Sequence, residues 1–197
     1  MKIDEEKSNA NPLVKPEIPP GASYLPRIKF TADKDHSSIS FKTKHWEIVD
    51  IIGWFTDFEI VMHSDSADFS DAVVYAEVSP SSLQMPNLKM QGTAQKEPYL
   101  NSELFPHATF KSKQMIKRGN NSYTLNGQLA INGINREIDF DVIFNGYAYP
   151  GEKSICGFDV SGKINRNDFN VGIGDKLHSG KKVHSDTIYL SMALRME

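Results

Sequence analysis

The sequence predicts an all-β protein, an antiparallel barrel of about eight strands with a short helical excursion, and three features carry that prediction. From Arg27 onward apolar residues recur at the two-residue period of half-buried strands. The strand-like segments follow one another at hairpin spacing, the order of a meander. Within Ser122 to Asn145 the alternation changes parity across Asn132-Gly133. Tyr123, Leu125, Leu129 and Ile131 take odd positions before it, whereas Ile134, Ile138, Phe140, Val142 and Phe144 take even positions after it. A two-residue Asn-Gly loop does this, because both residues accept positive φ and Ile131 and Ile134 then pair on one face. Each arm is longer than the usual strand of about five or six residues, so its apolar face must curl onto itself or meet another sheet. Closure also removes aggregation-prone edges.

Taken in order, residues 1–26 hold five prolines and a charged start, the composition of a flexible leader or linker, and 27–197 form the barrel domain. The leader lacks the apolar stretch of roughly seven or more residues that a signal peptide needs. Two readings stay open: a cytoplasmic protein, or a periplasmic or secreted one whose native signal has been removed. Strand signals then run through Ile28 and Phe30; Ile39, Phe41 and Thr43; Phe58, Ile60 and Met62; and Ala72 to Val78. Between them Ile48 to Phe58 is apolar but irregular around Gly53, which reads as a short helical turn or a bend. Pro80 to Glu103 breaks the pattern; Ser81 and Ser82 can cap a short helix, and the remainder forms an excursion over the barrel mouth. Strands resume at Ala108 to Ile116, pass through the central hairpin, and continue with Cys156, Phe158, Val160 and Ile164. They end with Ile188, Leu190, Met192, Leu194 and Met196, for a total of eight or nine.

With 22 basic and 25 acidic residues the net charge is -3, which gives no electrostatic case for nucleic acid. No run approaches the roughly 18 to 20 apolar residues of a helical membrane span. The single Cys156 cannot form an internal disulfide and reads as a small core residue. His178, His184 and Asp186 match no metal-ligand spacing and read as a solvated loop; the Asn120-Asn121-Ser122 sequon reads as a turn. A nucleophile elbow, a phosphate loop and a Cys-x-x-Cys pair are all lacking from the sequence.

Several blocks carry a family resemblance. Ser38-Ile39-Ser40-Phe41-Lys42-Thr43-Lys44-His45, followed by Gly53-Trp54-Phe55-Thr56-Asp57-Phe58, resembles the opening signature of the YceI-like family of polyisoprenoid-binding proteins. Leu100 to Phe110, Gly127 to Arg136 and Ile164 to Phe169 are similar to later family motifs, in order and spacing, so that the resemblance covers roughly Ile28 to Glu197. Asn170 and Ser185 stand where the family commonly has Gly; Asn tolerates left-handed φ, so that turn can survive. The resemblance implies an extended lipocalin-like barrel whose apolar tunnel encloses a polyisoprenoid or a prenylated quinone. Because the sequence supplies no nucleophile and no metal-ligand motif, the expected role is to bind, carry or sequester that chain without catalysis, with no required cofactor and no metal.

The inward alternation and the resemblance together nominate Phe41, Phe55, Phe58, Phe110, Leu129, Phe140, Phe158, Ile164 and Leu190 as tunnel residues; packing alone is the plainer reading of the phenylalanines. His45 ends a strand, either as a satisfied structural donor or as a polar contact near the tunnel. Arg136 and Arg166 have inward parity and need partners. They either seal a barrel end, with Asp168 as a partner for Arg166, or meet a ligand head group. Two alternatives to a carrier remain, an enzyme acting on an isoprenoid or quinone and a solid-core barrel serving as an interaction module. A homodimer is compatible with either.

Overall fold

The computed structural model describes residues 28–149, 154–174 and 182–197, and the leader lies outside them. The described strands are β1 (Ile28–Thr31), β2 (Ser38–His45), β3 (Val49–Phe55), β4 (Phe58–Ser64), β5 (Val73–Val78) and β6 (Leu83–Gln84), then β7 (Ala108–Lys117), β8 (Ser122–Ile131), β9 (Ile134–Ala148), β10 (Ile155–Asn165) and β11 (His184–Met196). One helix, α1 (Leu88–Ala94), lies in the excursion between β6 and β7. All eleven strands pair antiparallel in a single sheet, in the order β1-β4-β5-β7-β8-β9-β10-β11-β2-β3-β6. The sheet curls until its β1 edge reaches β11, the eighth strand in that order: Ala32, just after β1, bridges Met196, and Thr31 and Glu197 exchange backbone hydrogen bonds of 2.7 and 3.0 Å.

Two strands account for the excess over the expected eight or nine. β6 is a two-residue edge strand inside the excursion, and β3 occupies the segment expected to be a helical turn or bend. On β3 the inner positions Ile51, Gly53 and Phe55 alternate with Ile52 and Trp54, which are apolar yet 49% and 42% exposed. Apolar residues on both faces hide the period of two. A further correction concerns the helix cap. Asn87, not Ser81 or Ser82, accepts from the amides of Lys89 and Met90, while the serines sit in a separate 3-10 turn, Pro80–Ser82.

The central hairpin has the expected register, with Leu125 opposite Phe140 and Ile131 opposite Ile134. Its turn residues Asn132 and Gly133 have φ of 51° and 72°, both in the left-handed region. Asn132 Nδ2 donates to Tyr99 O at 2.7 Å, which ties the tip to the excursion. Asn170, in the family's usual Gly position, likewise adopts left-handed φ (55°).

Inside, the barrel has two tiers. Its lower tier is solid, built from Phe30, Met62, Phe69, Met115, Tyr123, Val142, Cys156, Phe158 and Met196, all buried. Burial pushes the Cys156 thiol up to about 11, so it stays a protonated apolar filler, as its parity suggests. The upper tier is hollow.

Candidate functional site

The hollow tier is a cavity of about 470 Å³, within the range of roughly 300–1,000 Å³ typical of small-molecule sites. Its wall comes from inward residues of β2 to β11 together with α1 and the chain after it, and it is mostly aliphatic and aromatic. Why such a phenylalanine-rich barrel stays hollow follows from three glycines. A Cβ built on Gly53 would lie 2.6 Å from the Phe41 ring, one on Gly127 2.5 Å from Phe110, and one on Gly162 2.6 Å from Phe140. Each ring therefore lies flat against the wall over a neighbouring strand's glycine instead of crossing the lumen.

Of the residues nominated from sequence, Phe41, His45, Phe55, Phe110, Leu129, Phe140, Ile164, Leu190 and Arg166 lie around this cavity. Phe58 and Phe158 do not. Phe58 is buried core at the start of β4, and Phe158 belongs to the solid tier, with its ring centroid 5.2 Å from that of Phe69. Parity gives the face of a strand but not the depth along it. Arg136 is also corrected: it lies opposite Leu129 near the start of β9, where the inner face reaches solvent, and its exposed side chain donates only to Asn135 O, at 2.9 Å, among the described contacts.

The polar residues gather at one end. His45 closes β2 and lies opposite His184 on β11, their ring centroids 5.2 Å apart. His45 also stacks on Trp46 at 4.3 Å, and Tyr99 meets His184 edge-on at 5.9 Å. Arg166, 5% exposed, spans the same end; it donates to the carbonyls of Val171 (3.1 Å), Gly172 (2.7 Å) and His184 (3.4 Å). Its acidic neighbour is Asp186, 4.0 Å from Nε, and not the exposed Asp168. Hydrogen bonding from Lys182 holds the Asp186 carboxyl below the usual carboxylate range. Arg166 thus braces the wall at this end of the barrel through backbone acceptors, with its charge balanced by a carboxylate. His184 and Asp186 therefore sit on β11 instead of in a solvated loop, and His178 lies outside the described residues. Among the described residues no group of three His, Cys, Asp or Glu could hold a metal ion.

Tyr99 and His184 were missed as site residues. Tyr99 comes from an aperiodic excursion, and His184 reaches His45 only because β11 pairs with β2 across most of the chain length. A candidate signal does exist: His184 has the same parity as the inward Ile188 and Leu190.

A curled antiparallel barrel with an apolar cavity bordered at one end by polar groups defines a lipocalin-like protein. The sequence matches the YceI-like domain over residues 30–196, and the chain belongs to the YceI-like family. A UPF0312 protein of Staphylococcus aureus strain N315 is 31% identical over 153 residues, covering 77% of this chain and 86% of its own. The Campylobacter jejuni YceI protein is 27% identical with a TM-score of 0.67, covering 84% of this chain and 95% of its own. Burkholderia cenocepacia BcnA superposes with a TM-score of 0.73 at 22% identity, over 83% of this chain and 98% of its own. A polyisoprenoid binding domain from Saccharophagus degradans, implicated in plant cell wall breakdown, gives a TM-score of 0.62 at 13% identity, over 85% of this chain and 97% of its own. The last two likenesses establish the fold alone. Among the described residues no helix is long and apolar enough to cross a membrane.

Proposed function

We propose that this protein encloses a long apolar chain, a polyisoprenoid or a prenylated quinone, and carries or sequesters it without changing it chemically. The observation that carries this reading is the set of three ring-over-glycine contacts: Phe41, Phe110 and Phe140 are held against the wall, which leaves a lumen that apolar groups alone would fill. The binding property named for the Saccharophagus degradans domain, which shares the fold, agrees with it. Each buried methylene contributes roughly 0.8 kcal/mol. Several isoprene units therefore outweigh the association cost of about 4–15 kcal/mol with little polar help. His45, His184 and Tyr99 then face the head group and tune specificity, while Arg166, engaged with carbonyls, holds the end in shape. A periplasmic or secreted location fits a carrier working in water beside a membrane.

Calorimetric titration of the full chain with prenyl alcohols tests the proposal. Saturable one-to-one binding with a negative heat-capacity change is expected, the signature of apolar burial. Absence of saturable binding at every chain length would overturn it.

A further inference from the structure

The cavity ends at a level set by Ile60, Val74, Leu125, Val160 and Leu194. Immediately below, the next inward residue of β10 is Phe158, paired with Leu194 of β11 and 4% exposed. Its ring packs on Phe144 (5.3 Å) and on Phe69 (5.2 Å). Phe69 belongs to no strand: it enters from the β4–β5 loop with φ of 56° and is 1% exposed, also touching Phe30 at 5.9 Å. A bulky residue in left-handed backbone persists only where its surroundings fix it, and the loop is fixed at both ends of this turn. The Asp71 carboxylate accepts from Ser64 Oγ (2.6 Å) and the amides of Asp65 (3.0 Å) and Ser66 (3.2 Å). Asp68 accepts from the hydroxyls of Ser66 (2.6 Å) and Ser70 (2.7 Å) and from Lys117 Nζ (3.0 Å). Burial works against ionisation of Asp71, yet these donors hold its carboxyl below the usual range. A charged loop thus presses one aromatic ring into the base of the barrel.

From this geometry we infer that Phe158, backed by Phe69, is the floor of the cavity and sets the length of apolar chain that the protein can enclose. This rests on the chain-binding reading above and adds a length limit to it. A chain entering tail-first from the His45–His184 end extends until it meets the Phe158 ring; additional isoprene units remain outside, in water, and add no affinity.

Titrating the full chain with geraniol, farnesol, geranylgeraniol and longer prenyl alcohols tests the inference. In the unmodified protein affinity is expected to rise with each unit and then level off at one length. Phe158→Ala moves that break to a longer alcohol, so that the first alcohol beyond the old limit binds at least about ten-fold tighter than to the unmodified protein, while shorter ones are unaffected. Val160→Phe raises the floor and moves the break to a shorter alcohol, which keeps the test decisive if Phe158→Ala fails to fold. Binding whose break stays put in a folded variant, or that has no break, overturns the floor but leaves chain binding intact. No binding of any alcohol to the unmodified protein overturns both.

Discussion

Leu129→Trp is expected to weaken binding of long prenyl chains on the order of 100-fold while affecting short ones far less. Leu129 is 8% exposed, lies opposite Phe110 on the paired strand and lines the cavity. Because the Phe110 ring is already pressed against Gly127, it cannot retreat further, and an indole added beside it must project into the lumen. Three excluded methylenes at about 0.8 kcal/mol each correspond to nearly that factor. Overpacking itself costs about 1–3 kcal/mol of stability, so thermal melts of the variant accompany the titrations. An equal loss for long and short chains would show that the substitution damages the barrel generally and does not narrow a passage.

Gly133→Val should destabilise the fold by about 2–3 kcal/mol. Its φ of 72° lies where a β-branched residue is strained, and a Cβ there would also approach the Phe105 ring to 3.1 Å. At about 2–4 °C per kcal/mol for a domain of this size, the melting temperature falls by roughly 5–10 °C. Asn132, which anchors the tip to Tyr99 O, would be displaced with it, so the variant should also loosen the excursion at the polar end of the cavity. An unchanged melting temperature would contradict the hairpin register.

Much of the barrel was legible in the sequence, for identifiable reasons. The β8–β9 hairpin was readable because one face is wet and the other dry, and because Asn132-Gly133 permits a single kind of turn. β3 was not, since Ile52 and Trp54 keep its outer face apolar. The wall of the cavity followed from parity, but its ends did not. Phe158 and Val160 share a parity while one lies in solid core and the other on the cavity wall. The polar end assembles His45, Tyr99, Arg166 and His184 from segments distant in sequence, which local pattern cannot bring together. Phe69 was hidden by its setting, a run of aspartates and serines from Ser64 to Asp71 that looks like a solvated loop.

The claim that this barrel is hollow in order to hold an apolar chain is tested most directly by extracting the purified full chain with organic solvent and analysing the extract by mass spectrometry. Incubation with a prenyl alcohol mixture before repurification supplies ligand independently of the expression host. A prenyl lipid in near-stoichiometric amount is the predicted result, reduced for long chains in Leu129→Trp; an extract with no apolar chain, even after that incubation, would contradict the account.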